Sequence, residues 1–117
     1  MNYDVIIVGA GPGGIFSAYE LVTQFPQCKI AVFESGHTLE KRHCPIDGKK
    51  VKTCIGCKSC SIMNGFGGAG AFSDGKYNIT NDFGGTLHEY IGKQQALELM
   101  RYVDQINLLF GGEGTKL

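Results

Sequence analysis

The chain has 117 residues, enough for one domain at most, with eleven basic against eleven acidic residues and a net charge of zero. That balance gives no global electrostatic case for nucleic acid or an acidic membrane surface, and no apolar run is long enough to span a bilayer or act as a secretory leader. The expected compartment is the cytoplasm, where a disulfide scaffold for the five cysteines is disfavoured.

In chain order, the first element is Val5, Ile6, Ile7 and Val8, a run of β-branched residues that reads as a strand buried on both faces of a parallel sheet. It stops at Gly9, Gly11 and Gly14, which fall on the GxGxxG spacing. In that motif the first glycine allows a sharp turn, the second lets backbone approach a pyrophosphate, and the third lets a helix pack against the strand. Pro12 suits the first position of that helix, and Ile15, Ala18, Tyr19 and Val22 then form one apolar stripe. Ile30 to Phe33 supply a second strand, closed by Glu34 twenty residues beyond Gly14, where a carboxylate can accept hydrogen bonds from an adenosine ribose. A carboxylate there repels a 2′-phosphate, so FAD or NAD is favoured over NADP. The bland alternative is a βαβ unit with no ligand.

The fold class is therefore α/β: a Rossmann-type FAD/NAD(P)-binding βαβ, incomplete, the N-terminal part of a larger doubly wound domain. In the complete fold the first strand is central and flanked by a strand from the second half of the domain. Nothing after Glu34 clearly provides one, so the first strand is expected to be partly uncovered and to promote self-association.

Residues 35–62 show no sustained periodicity and read as an irregular excursion, with a Cys-rich insertion at about 37–62. Between Lys41 and Cys60 lie six basic residues, Arg42 among them, against the single acid Asp47; this reads either as a solvated loop or as a partner for an anion or thiolate. Cys54, Cys57 and Cys60 form CxxCxxC, with Cys44 as a fourth member upstream. Two residues between ligands is a spacing that points thiolates at one centre, so three readings stand: a zinc or iron–sulfur site, a redox-active dithiol, or plain reduced thiols. His43 as a zinc ligand is the lesser variant, and Cys28 reads as a packed thiol without chemistry.

A second glycine cluster, Gly65 to Gly75, reads as a wall lining a ligand, because Phe66, Ala69, Ala71 and Phe72 are more apolar than a linker would carry. Gly65, Gly67, Gly68 and Gly70 bare the backbone there, and Ser73, Asp74 and Lys76 supply polar ends. Tyr77 to Thr80 reads as a short strand and Asn81 to Gly85 as a turn. Thr86 and Glu89 have capping-box spacing, and an apolar stripe from Ala96 to Phe110 predicts a helix starting at Leu87 or Lys93, softened at Gly92. Gly111, Gly112 and Gly114 end it.

Taken together, DVIIVGAGPGG, Glu34, Cys44-Pro45 with CxxCxxC, and GFGGAGAFSDGK resemble the N-terminal part of the FAD-dependent dehydrogenases sometimes labelled NAD(FAD)-utilizing. The resemblance covers nearly the whole chain. It implies that Gly9, Gly11, Pro12, Gly14 and Glu34 hold the ADP part of FAD, and that Gly67, Gly68, Ser73 and Asp74 lie along the pyrophosphate or the flavin. Members of this type are several times longer, so the expected function is the FAD-binding portion of a flavin oxidoreductase, with NAD(P)H as a co-substrate of the full-length protein. No catalytic acid or base is identified. The alternative is a non-catalytic nucleotide-binding module in which Cys44, Cys54, Cys57 and Cys60 hold a structural zinc.

Overall fold

The run Val5–Val8 forms strand β1 and Ile30–Phe33 forms strand β2, paired in parallel from Val5 opposite Ile30 to Val8 opposite Phe33. Between them runs helix α1, Pro12–Gln24, so the first segment is a βαβ unit. This computed structural model describes residues 2–112 except Asp74 and Lys76, and it divides into two units between Ser73 and Asp74. The expected roles of Asp74, Lys76 and Gly114 lie outside the described residues.

In the first unit the ladder begins before β1, where the N–H groups of Asp4 and Val5 both donate to Lys29 O, at 2.8 and 3.2 Å. It extends past β1 into the glycine turn, where the Gly9 N–H donates to Phe33 O at 2.7 Å. Pro12 stands at the helix start, where its missing N–H costs nothing. Helix α1 then packs on the sheet because Gly14 has no side chain: a Cβ there would fall 1.9 Å from Gly9 O and 3.3 Å from Ile7 Cγ2. Register puts Val5, Ile7, Ile30 and Val32 on the face toward that contact, with Ile6, Val8, Ala31 and Phe33 on the other. Here the expectation of burial on both faces fails, since Ile6 is 60 % exposed and Val8 87 % exposed. A parallel sheet needs cover on both sides, and within the first unit the one helix, α1, packs on one of them. Beyond β2 the only regular pieces of this unit are 3₁₀ turns at Leu39–Lys41 and Ala69–Phe72, so residues 35–62 are irregular as their composition implies.

The second unit carries a 3₁₀ turn at Asn81–Phe83, then helix α2, Leu87–Ile91, and helix α3, Lys93–Leu109. Both expected helix starts are thus real, separated by Gly92 at φ +85°. Its buried apolar residues among those described are Ala96 and Ile106, both on α3. Helix α3 ends in a Schellman motif: Gly112 N–H donates to Asn107 O at 2.8 Å and Gly111 N–H to Leu108 O at 3.2 Å. Two expectations are corrected here. Residues 77–80 form no strand among the described residues, and the Thr86 side chain makes no cap bond, so the capping box is not formed. Thr86 sits at φ −123°, ψ 13°, away from the extended backbone that aims an N-cap oxygen at the next turn, and its carbonyl accepts the Glu89 N–H instead. No helix among the described residues is long and apolar enough to cross a membrane.

Candidate dinucleotide site

The turn after β1 is built around one residue, Ala10, which is 1 % exposed. Gly9 reaches it at φ +100°, a conformation only glycine adopts cheaply. The Ala10 N–H donates to Glu34 Oε2 at 2.7 Å, and the other carboxylate oxygen accepts the Gly36 N–H at 2.9 Å. Glu34 therefore faces the glycine turn and fastens the carboxyl ends of β1 and β2 together. The Ala10 amide, then the Gly36 amide, hold its carboxyl below the usual range, with a smaller contribution from the Arg42 charge and partial desolvation opposing them. Each carboxylate oxygen bonded in this way keeps a lone pair for a further donor.

On its other side the Ala10 carbonyl accepts the Gly67 N–H at 2.8 Å. The next residue, Gly68, lies so close that a Cβ would stand 3.0 Å from Gly11 Cα and 3.1 Å from Pro12 Cδ. Helix α1 begins at this spot with Gly11 as its N-cap and no side chain capping it. Of the residues singled out from the sequence, Gly9, Gly11, Pro12, Gly14, Glu34, Gly67 and Gly68 thus come together around one turn. Ser73 closes the Ala69–Phe72 turn, its N–H donating to Gly70 O at 3.1 Å, and its side chain is exposed.

Cys44, Cys54, Cys57 and Cys60 are free thiols on exposed residues that rim one open pocket of about 100 Å³. Among the described residues no three His, Cys, Asp or Glu side chains are placed to hold a metal ion, so neither the zinc nor the iron–sulfur reading gains support. Asp47, the one acid of this basic loop, is taken up by a turn: its Oδ1 accepts the N–H groups of Lys49, Lys50 and Val51 at 2.8–2.9 Å, which lowers its pKa.

Arg42 belongs to the basic run expected to be either solvated or paired with an anion or thiolate, and the structure shows neither for it. It is 2 % exposed, and its guanidinium donates to three main-chain carbonyls, Ser61 O, Ile62 O and Phe66 O. The available signal was its being the only arginine in a run of lysines. Only its planar fork can serve several separated acceptors at once.

No protein-family model matches the chain, and no solved structure matches it. A stretch of 33 residues is 54 % identical to part of a thiamine thiazole synthase of Coprinopsis cinerea. That stretch is 28 % of this chain and spans only 10 % of that protein, too little of either to show a family.

Proposed function

We propose that the chain binds the ADP half of a dinucleotide, FAD first of all, as the nucleotide-binding portion of a flavin-dependent oxidoreductase. The observation that carries this reading is the double use of the Ala10 main chain. Its N–H is held by the acid at the end of β2 and its carbonyl by the second glycine cluster. The GxGxxG turn, the ribose-type carboxylate and a side-chain-free wall therefore meet at the start of α1. An uncapped helix start favours a diphosphate, because its free N–H groups and the helix dipole both attract negative charge. The spare lone pairs of Glu34 suit ribose hydroxyls, and its charge disfavours a 2′-phosphate.

The short likeness to a thiamine thiazole synthase is in keeping with a flavoprotein-like chain. Bound FAD would supply the hydride chemistry, while the residues here would bind and orient it. Titrating the chain with FAD and following flavin fluorescence tests the reading. FAD is expected to bind, ADP to compete with it, NADP⁺ to compete more weakly than NAD⁺, and FMN, which lacks the adenylate, not to bind. Absence of FAD binding, or equal affinity for FMN, would overturn it.

A further inference from the structure

Residues 34–68 must cross from the end of β2 back to the glycine turn with one 3₁₀ turn as their only regular structure, so something else fixes their path. Arg42 does this from within. Its Nε donates to Ser61 O at 2.8 Å, Nη2 to Ile62 O at 2.7 Å and Nη1 to Phe66 O at 2.6 Å, and its guanidinium carbon lies 4.8 Å from the centre of the Phe72 ring. The stem of the side chain fills the space that Gly65 leaves: a Cβ on Gly65 would fall 2.6 Å from Arg42 Cδ. Gly65 in turn packs on Gly36, where a Cβ would meet Gly65 Cα at 2.5 Å. One cation is thus threaded through the neck of the thiol-bearing loop, between its entry at residue 42 and its exit at residues 61–66.

Directly after that neck comes the wall of the candidate site. Phe66 N–H donates to His37 O at 3.0 Å, Gly67 N–H to Ala10 O at 2.8 Å, and Gly68 stands against Gly11 and Pro12. We propose that Arg42 is a positioning residue of the dinucleotide site, holding residues 61–66 at the level that seats Gly67 and Gly68 on the phosphate turn. Its role in binding rests on the dinucleotide reading, whereas the seating itself does not. The hydrogen bonds of its guanidinium go to the loop and none goes to β1, β2 or α1, so its loss unseats the wall and leaves the βαβ unit standing. Lysine cannot substitute, because one ammonium on a single point cannot reach three separated carbonyls and stack on a ring.

The test uses Arg42→Lys in the full chain, with two readouts. In hydrogen exchange the amides of Phe66 and Gly67 are expected to lose protection while those of α1 keep theirs. In FAD titration the dissociation constant is expected to rise by about tenfold or more, in line with loss of charge-assisted hydrogen bonds. Gly68→Ala, which presses a Cβ onto Gly11, acts on the same seat. Combined with Arg42→Lys it is expected to add little, whereas independent structural damage would be additive. Unchanged protection at Gly67, or loss of protection in α1 to the same extent, would overturn the proposal, as would full additivity. If the unaltered chain binds no FAD, the dinucleotide reading falls by itself, and the exchange pattern still decides whether Arg42 seats the wall.

Discussion

At the scale of single residues, Glu34 carries the most chemistry. Its carboxylate accepts two main-chain N–H groups, and those bonds favour the charged form, so its pKa in the folded chain is below the ordinary 4.5. For a depressed carboxylate the stabilisation is present above the unfolded-state pKa and is lost as pH falls through the folded one. Glu34→Gln should therefore lower the melting temperature at neutral pH, since one oxygen becomes a donor facing an N–H. The gap from the unaltered chain should then close as pH falls below 4.5. Thermal melts followed by circular dichroism across that range check this, and a gap independent of pH would show that the charge contributes nothing. The donors to Glu34, the Ala10 and Gly36 amides, could not be read from the sequence, but its place at a strand end next to a glycine turn was legible from spacing. Arg42 was not, since its partners are carbonyls that come from residues 61–66, brought to it by a loop with no periodicity to read.

At the scale of elements, local rules succeeded where an element is held by its own residues and failed where it depends on a neighbour. β1, β2 and α1 follow from β-branched runs and one apolar stripe. The alternation Tyr77, Asn78, Ile79, Thr80 gives no strand because no other described segment pairs with it. Tyr77 is instead partly buried in the second unit, where burial and the Asp104 charge raise the pKa of its phenol. The break between α2 and α3 sets two rules against each other. Helix propensity predicts that Gly92→Ala stabilises by about 1 kcal/mol. The geometry predicts the reverse, because φ +85° with ψ 151° belongs to a region essentially reserved for glycine, and a side chain forced there costs about 1–3 kcal/mol. No atom lies within 4 Å of the added Cβ, so crowding plays no part and the sign of the change isolates the backbone term. Urea denaturation of Gly92→Ala is expected to show destabilisation. A more stable variant would mean that α2 and α3 can run on as one helix.

At the scale of the whole molecule, the described chain leaves apolar surface where a doubly wound sheet would be covered. Within the first unit helix α1 covers one face of the two-stranded sheet, whereas a parallel sheet is normally covered on both. The bare face carries Ile6, Val8 and Phe33 at 60, 87 and 57 % exposed, and the buried apolar residues among those described are Ala10, Ala96 and Ile106. Register places these three side chains together, so they form one patch and not scattered contacts. The hydrophobic effect then favours covering this face with another apolar surface, and in a purified sample the nearest such surface is a second copy. The chain is expected to self-associate in a concentration-dependent way and to bind a hydrophobic dye. Val8→Lys, at the most exposed of the three positions, should reduce both. The substitution leaves the glycine turn and the packing of α1 on the opposite face untouched, so FAD binding should survive it. Light scattering across a dilution series separates the outcomes. A monomer at every concentration, with no dye binding, would mean that the patch is covered within the chain itself.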